Sequence, residues 1–135
     1  MNAILTQETD EAHKEGGFSQ IHDILLSIGM PPNLLGYSYV LYATELILSN
    51  PDYMHAITKE LYVEVARKYN STPSRVERAI RHAIGTTWLH GNLDYINQIF
   101  INCIRPDKGT PTNSLFLSRI YYYLLGSMKP RNLTA

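Results

Sequence analysis

The sequence predicts an all-α protein that contains a helix-turn-helix, and three observations lead there. Apolar residues recur at helical spacing through most of the chain. Strand-type alternation between regularly spaced turns appears nowhere. One helix, opening at Pro73, carries unusually clear start signals. A length of 135 residues suits one domain with a single core, and 44% hydrophobic against 18% charged residues is too apolar for a disordered chain. No apolar run approaches the roughly 18 to 20 residues that a bilayer-spanning helix needs, so no membrane partner is expected.

Taken in order, residues 1–17 are polar and acidic, end in Gly16-Gly17, and read as a flexible arm or frayed helix. Glu8, Asp10 and Glu11 stand where a secretory signal would have a basic start and an apolar stretch, so a cytoplasmic location is expected. The helical domain is expected over 18–128 and a tail over 129–135. Its first helix spans about 18–28, with Ile21, Ile24, Leu25 and Ile28 on one stripe and Gly29 then Pro31-Pro32 stopping it. A second, rich in Leu, Tyr and Ala, covers roughly 33–48 and closes at Ser49-Asn50-Pro51-Asp52. A short piece over 53–61 leads into a helix over 62–69, which Asn70-Ser71-Thr72-Pro73 breaks. Thr72 can cap the next helix, and Pro73 suits its first position, where a missing N–H costs nothing. That helix reaches Leu89, before Gly91-Asn92. Another is expected over 93–104, then a loop over 105–111, then a last helix capped by Thr112 or Asn113 and running through Leu125, with Gly126 and Pro130 marking its end.

Residues 62–90 therefore supply the parts of a helix-turn-helix: a short helix, a tight turn and a second helix able to lie in the major groove. Ala66 is small where the helices must approach, Asn70 can take a left-handed turn conformation, and Val76 can plug the angle between them. On a wheel of about 100° per residue, Val76, Ala79, Ile80, Ala83, Ile84 and Thr87 share one arc, the expected core face. Ser74, Glu77, Arg78, Arg81 and Gly85 fall on the opposite, outward stripe.

Arginine can donate two bonds to guanine O6 and N7, and a carboxylate can accept from cytosine N4, so Arg78, Arg81 and Glu77 suit the reading of base edges. Close to phosphates a Glu costs affinity unless it selects a base or orients an arginine. Arg75 and His82 lie on a flank suited to phosphate, and Ser71, Thr72 and Ser74 sit at the helix N-terminus, which the helix dipole makes hospitable to phosphate. Formal net charge is zero, but the charge is segregated: Arg67, Lys68, Arg75, Arg78 and Arg81 face only Glu64 and Glu77 between residues 64 and 90. Outward Arg and Glu at this spacing also make an ordinary solvated helix face, and spacing alone leaves that reading open.

At these residues the sequence resembles a known family. The eleven-residue run Ser74-Arg75-Val76-Glu77-Arg78-Ala79-Ile80-Arg81-His82-Ala83-Ile84, with Trp88 and Gly91-Asn92, is similar to the C-terminal DNA-binding effector domain of the master response regulator of sporulation in endospore-forming bacteria. Ile57-Thr58-Lys59, Leu61-Tyr62, Ala66 to Asn70, Gly36-Tyr37, and Lys108 with Pro111 to Ser114 extend the likeness over roughly 18–125. The resemblance implies a compact six-helix fold that binds short promoter boxes of the TGTCGAA type, often as tandem pairs. It places Glu77, Arg78 and Arg81 at the bases, and the surroundings of Ser74, Arg75, His82 and Lys108 at the backbone. It extends the partners from double-stranded DNA to RNA polymerase or a sigma factor, and to a homodimer on tandem sites.

Two departures from the family stand out. With about 17 residues ahead of the domain, the chain is expected to lack the phosphoacceptor receiver, so phosphorylation would not drive dimerisation in cis. Gly85-Thr86-Thr87 and Leu89-His90 replace a more helical, charged stretch, and Tyr121-Tyr122-Tyr123 makes the last helix strongly aromatic. Without a receiver, a second function stays open: an interaction protein that modulates the full-length regulator or RNA polymerase with weak or no DNA binding.

No enzyme is expected, and no cofactor or metal. The five histidines, His13, His22, His55, His82 and His90, show no i, i+4 pair, and neither a phosphate-binding glycine loop nor a nucleophile elbow occurs. Cys103, the single cysteine, lies in an apolar segment and reads as a small core residue. Tyr37, Tyr39, Tyr42 and Tyr121 to Tyr123 recur within helical segments and read as packing residues, one of the last three being free to face outward.

Overall fold

A computed structural model describes residues 17–100 and 109–128. The expected arm and tail, Cys103 and Lys108 lie outside the described residues, apart from Gly17, which is already helical. The described chain is six α-helices with no strand: α1 (17–27), α2 (Leu35–Ser49), α3 (Tyr62–Lys68), α4 (Pro73–His90), α5 (Leu93–Ile99) and α6 (Asn113–Met128).

Ile21, Leu25 and Ile28 bury the α1 stripe, and Ile24 packs against the core from its edge. Gly29, at φ 88°, ends the helix: its amide bonds to Leu26 O and the Met30 amide to Leu25 O, both at 3.0 Å, a left-handed cap that favours glycine. The second helix begins later than expected. Residues 31–34 form a turn, with the Leu34 amide bonded to Pro31 O, so α2 starts at Leu35 and Asn33 does not cap it. At its far end, the Asn50 side chain accepts from the Asp52 amide and opens a 3₁₀ turn, Pro51–His55. The short piece expected over 53–61 is in fact that turn followed by one π-helical turn, Ile57–Leu61, which runs directly into α3. Leu61 donates to Ala56 O at 3.1 Å, five residues back.

Two further bounds move. α5 stops at Ile99 because Phe100 leaves helical geometry while its ring stays buried, so the expected run to 104 is shorter where it is described. α6 runs through Gly126 to Met128. Nothing crowds Gly126, so the helix tolerates it at a cost of about 1 kcal/mol relative to Ala. Thr112, not Asn113, caps α6, its Oγ1 accepting from the Leu115 amide at 3.2 Å.

The core gathers around α4, which packs on α2, α3 and α6. α2 and α4 meet backbone to side chain at Gly36, where an added Cβ would lie 2.2 Å from the Ala79 carbonyl oxygen and 2.6 Å from Ala83 Cβ. No other residue fits that crossing unchanged. At the other end of α4, Trp88 meets the Phe100 and Phe116 rings edge-on at centroid distances of 4.9 and 5.9 Å, and those two rings stack at 5.3 Å. Tyr37, Tyr39 and Tyr121 are buried, whereas Tyr122 is exposed, as a three-residue aromatic run on one helix requires.

Candidate nucleic-acid interface

The tight turn between α3 and α4 is built by local chemistry. Asn70 adopts φ 52°, the left-handed region that Asn tolerates better than most residues. The Tyr69 amide reaches Val65 O at 3.1 Å and the Ser71 amide reaches Ala66 O at 2.8 Å, closing α3. Thr72 is extended, its Oγ1 accepts from the Arg75 amide at 3.3 Å, and Pro73 takes the first helical position. Val65, Ala66 and Val76 are buried in the angle between the two helices, which fixes how α4 projects.

The rotation of α4 about its own axis follows from burial. Val76, Ile80, Ala83, Ile84 and Thr87 are all buried, and Ala79 is half-buried beside Gly36. The opposite stripe is consequently turned outward, with Ser74, Arg78 and Arg81 exposed and Glu77 half-buried. Arg75 and His82 are exposed on the flank, Thr72 is exposed, and Ser71 is half-buried in the turn. None of the described candidates is buried, and those on α4 fall on the arc away from its core face.

Within the stripe, Glu77 Oε1 lies 3.5 Å from Arg81 Nε, their side chains 39% and 65% exposed. An exposed i, i+4 pair of this kind contributes about 0.3–0.5 kcal/mol, so it orients Arg81 without holding it against a competing partner. No ion pair or side-chain hydrogen bond engages Arg78 among the described residues. On α3, Arg67 pairs with Glu64, and Lys68 Nζ sits 5.3 Å from the Tyr42 ring centroid, a cation–π contact that holds a positive charge at the edge of the turn.

Sequence reasoning missed the support beneath this stripe. The buried Asn113 side chain donates from Nδ2 to the Tyr62 hydroxyl and to the Glu77 carbonyl, each at 3.0 Å. Burial pushes the Tyr62 hydroxyl above its ordinary pKa of 10.0; the Asn113 bond opposes that, Glu77 adds to it and Arg81 opposes it. Tyr62 therefore stays protonated at neutral pH and remains an uncharged partner. Nothing at these positions signals the pairing in the sequence, because Asn113 lies 51 and 36 residues from its two partners.

A family model described as the sporulation initiation factor Spo0A C terminal matches residues 21–124. The chain belongs to this family. The match runs from α1 almost to the end of α6 and contains the whole helix-turn-helix with Glu77, Arg78 and Arg81, so the six-helix architecture and the all-α class are those of the Spo0A C-terminal domain. That family is one of DNA-binding effector domains of sporulation transcription regulators. Among the described residues no three His, Cys, Asp or Glu side chains gather as a metal site, and no helix is long and apolar enough to cross a membrane.

Proposed function

We propose that this protein is a sequence-specific, double-stranded DNA-binding transcription regulator that lays the outer stripe of α4 in the major groove of TGTCGAA-type boxes. The observation that carries the reading is the exposure of Arg78 and Arg81 on the face opposite a fully buried one, directly after a helix-turn-helix turn. Arg78 and Arg81 donate to guanine O6 and N7, and Glu77 accepts from cytosine N4 or holds Arg81 in the reading pose. Ser71, Thr72, Ser74, Arg75 and His82 contact the phosphate backbone, as does Lys108. Pairing of two copies on adjacent boxes, and contact with RNA polymerase or a sigma factor, belong to the same reading and rest on family membership alone.

The test is binding to a labelled duplex that carries one such box, against a scrambled duplex at the same salt. Each bidentate arginine–guanine pair discriminates by about 1–3 kcal/mol. Arg78→Ala with Arg81→Ala is therefore expected to abolish preference for the box while thermal unfolding stays close to that of the parent. Equal preference before and after substitution rejects the base-reading role.

A further inference from the structure

Glu77 and Arg81 can read bases only if α4 is rotated correctly about its own axis, which burial sets and a hydrogen bond to the helix backbone can set more finely. At the rim of a helix, about 5–6 Å from the axis, a turn of about 10° moves an atom by about 1 Å. A recognition constellation tolerates about 0.5 Å and 10–20°. A directional bond to the helix backbone narrows the setting in a way that dispersion contacts do not.

Among the described residues three buried polar side chains occur, Thr44, Thr87 and Asn113. Thr44 and Thr87 each donate to the carbonyl four residues back in their own helix, at 2.7 Å, and so constrain nothing between helices. Asn113 differs. Its amide spends one hydrogen on Tyr62, the first residue of α3, and the other on the carbonyl of Glu77 in α4. In an α-helix that carbonyl also accepts from the amide four residues on, which here is Arg81. One side chain from α6 is thus bonded to the very peptide whose side chain and helical partner are the proposed readers.

We infer that Asn113 is a positioning residue for base discrimination: by tying the first helix of the helix-turn-helix and the Glu77 backbone to α6, it sets the rotation at which Glu77 and Arg81 meet the groove. The inference rests on the DNA-reading function proposed above. It assigns to Asn113 a role distinct from phosphate contact, since the residue is buried.

The experiment compares parent, Asn113→Asp and Tyr62→Phe on box and scrambled duplexes at one salt concentration, at a temperature where circular dichroism shows all three folded. Asn113→Asp is nearly isosteric and removes both donated bonds; Tyr62→Phe removes one and keeps the ring. The expected result is a box-to-scrambled affinity ratio at least tenfold lower in Asn113→Asp and a few-fold lower in Tyr62→Phe, with affinity for the scrambled duplex and the salt slope unchanged in Tyr62→Phe, which alters no charge. A purely structural role scales both affinities together and leaves the ratio as in the parent, and that outcome overturns the inference. If Asn113→Asp does not fold, an unchanged ratio in Tyr62→Phe overturns it equally. If the parent itself does not distinguish the duplexes, the base-reading function fails first and this inference with it.

Discussion

The two sides of α4 obey opposite rules. Its inner side admits no change of shape: Gly36 of α2 touches the Ala79 backbone so closely that one added carbon would stand 2.2 Å from an oxygen. Its outer side is open, and at Gly85 an added carbon would meet nothing within 4 Å. Packing dictates the identity of residues on the first side. On the second, the one ion pair of the stripe among the described residues, Glu77 with Arg81, is exposed and weak, so packing leaves the identity of these residues open.

The largest test of that contrast is Gly36→Val. Two backbones would have to part, and overpacking of a tight core typically costs about 1–3 kcal/mol, occasionally more. A loss of that size in unfolding free energy is expected, read as a lower urea midpoint, and a midpoint equal to the parent's would mean that the α2–α4 crossing is looser than it looks. Gly85→Ala probes the open side with the opposite sign. Replacing a helix-interior glycine whose added Cβ meets open space is expected to stabilise by about 1 kcal/mol, seen as a higher melting temperature. Destabilisation there would show that the outer stripe is packed after all.

The smallest effect is invisible at neutral pH. Tyr37, Tyr62 and Tyr69 all have hydroxyl pKa values raised above 10.0, chiefly by burial. The folded state then keeps these protons to higher pH than the unfolded chain. Stability is therefore unaffected below about pH 10, where both states are protonated, and falls as pH rises beyond it, because the unfolded state binds fewer protons. Tyrosinate absorbance followed together with circular dichroism checks this. Ionisation of all tyrosines well before unfolding would contradict the burial.

What could be read in advance was whatever is local. The Thr72-Pro73 start, the left-handed Asn70 and the inner arc of Val76, Ile80, Ala83, Ile84 and Thr87 each depend on a few neighbouring residues, and each appears as expected. The outward stripe followed, since it is the complement of the buried one. Bounds set by competition were less legible. A Gly read as a stop at 126 is only a cost that the α6 helix absorbs, and a segment read only as a short piece is a tight turn followed by a wider one. Least legible were contacts across the fold. Gly36 sits in an ordinary-looking helical stretch, and its need to be glycine exists only once α4 lies against it. Asn113 looked like a helix cap, a role that Thr112 fills, and its actual partners come from elements far away in the chain.

The single indole of the chain, Trp88, lies in the last turns of α4, half-buried against two phenyl rings. The helix proposed to meet DNA therefore carries its own fluorophore, lodged where its C-terminal end meets the Phe100 and Phe116 rings. Its emission will register loosening of that aromatic contact. A spectral change on adding a duplex would accordingly signal that docking is felt at that aromatic contact, a question that ordinary binding curves leave unasked.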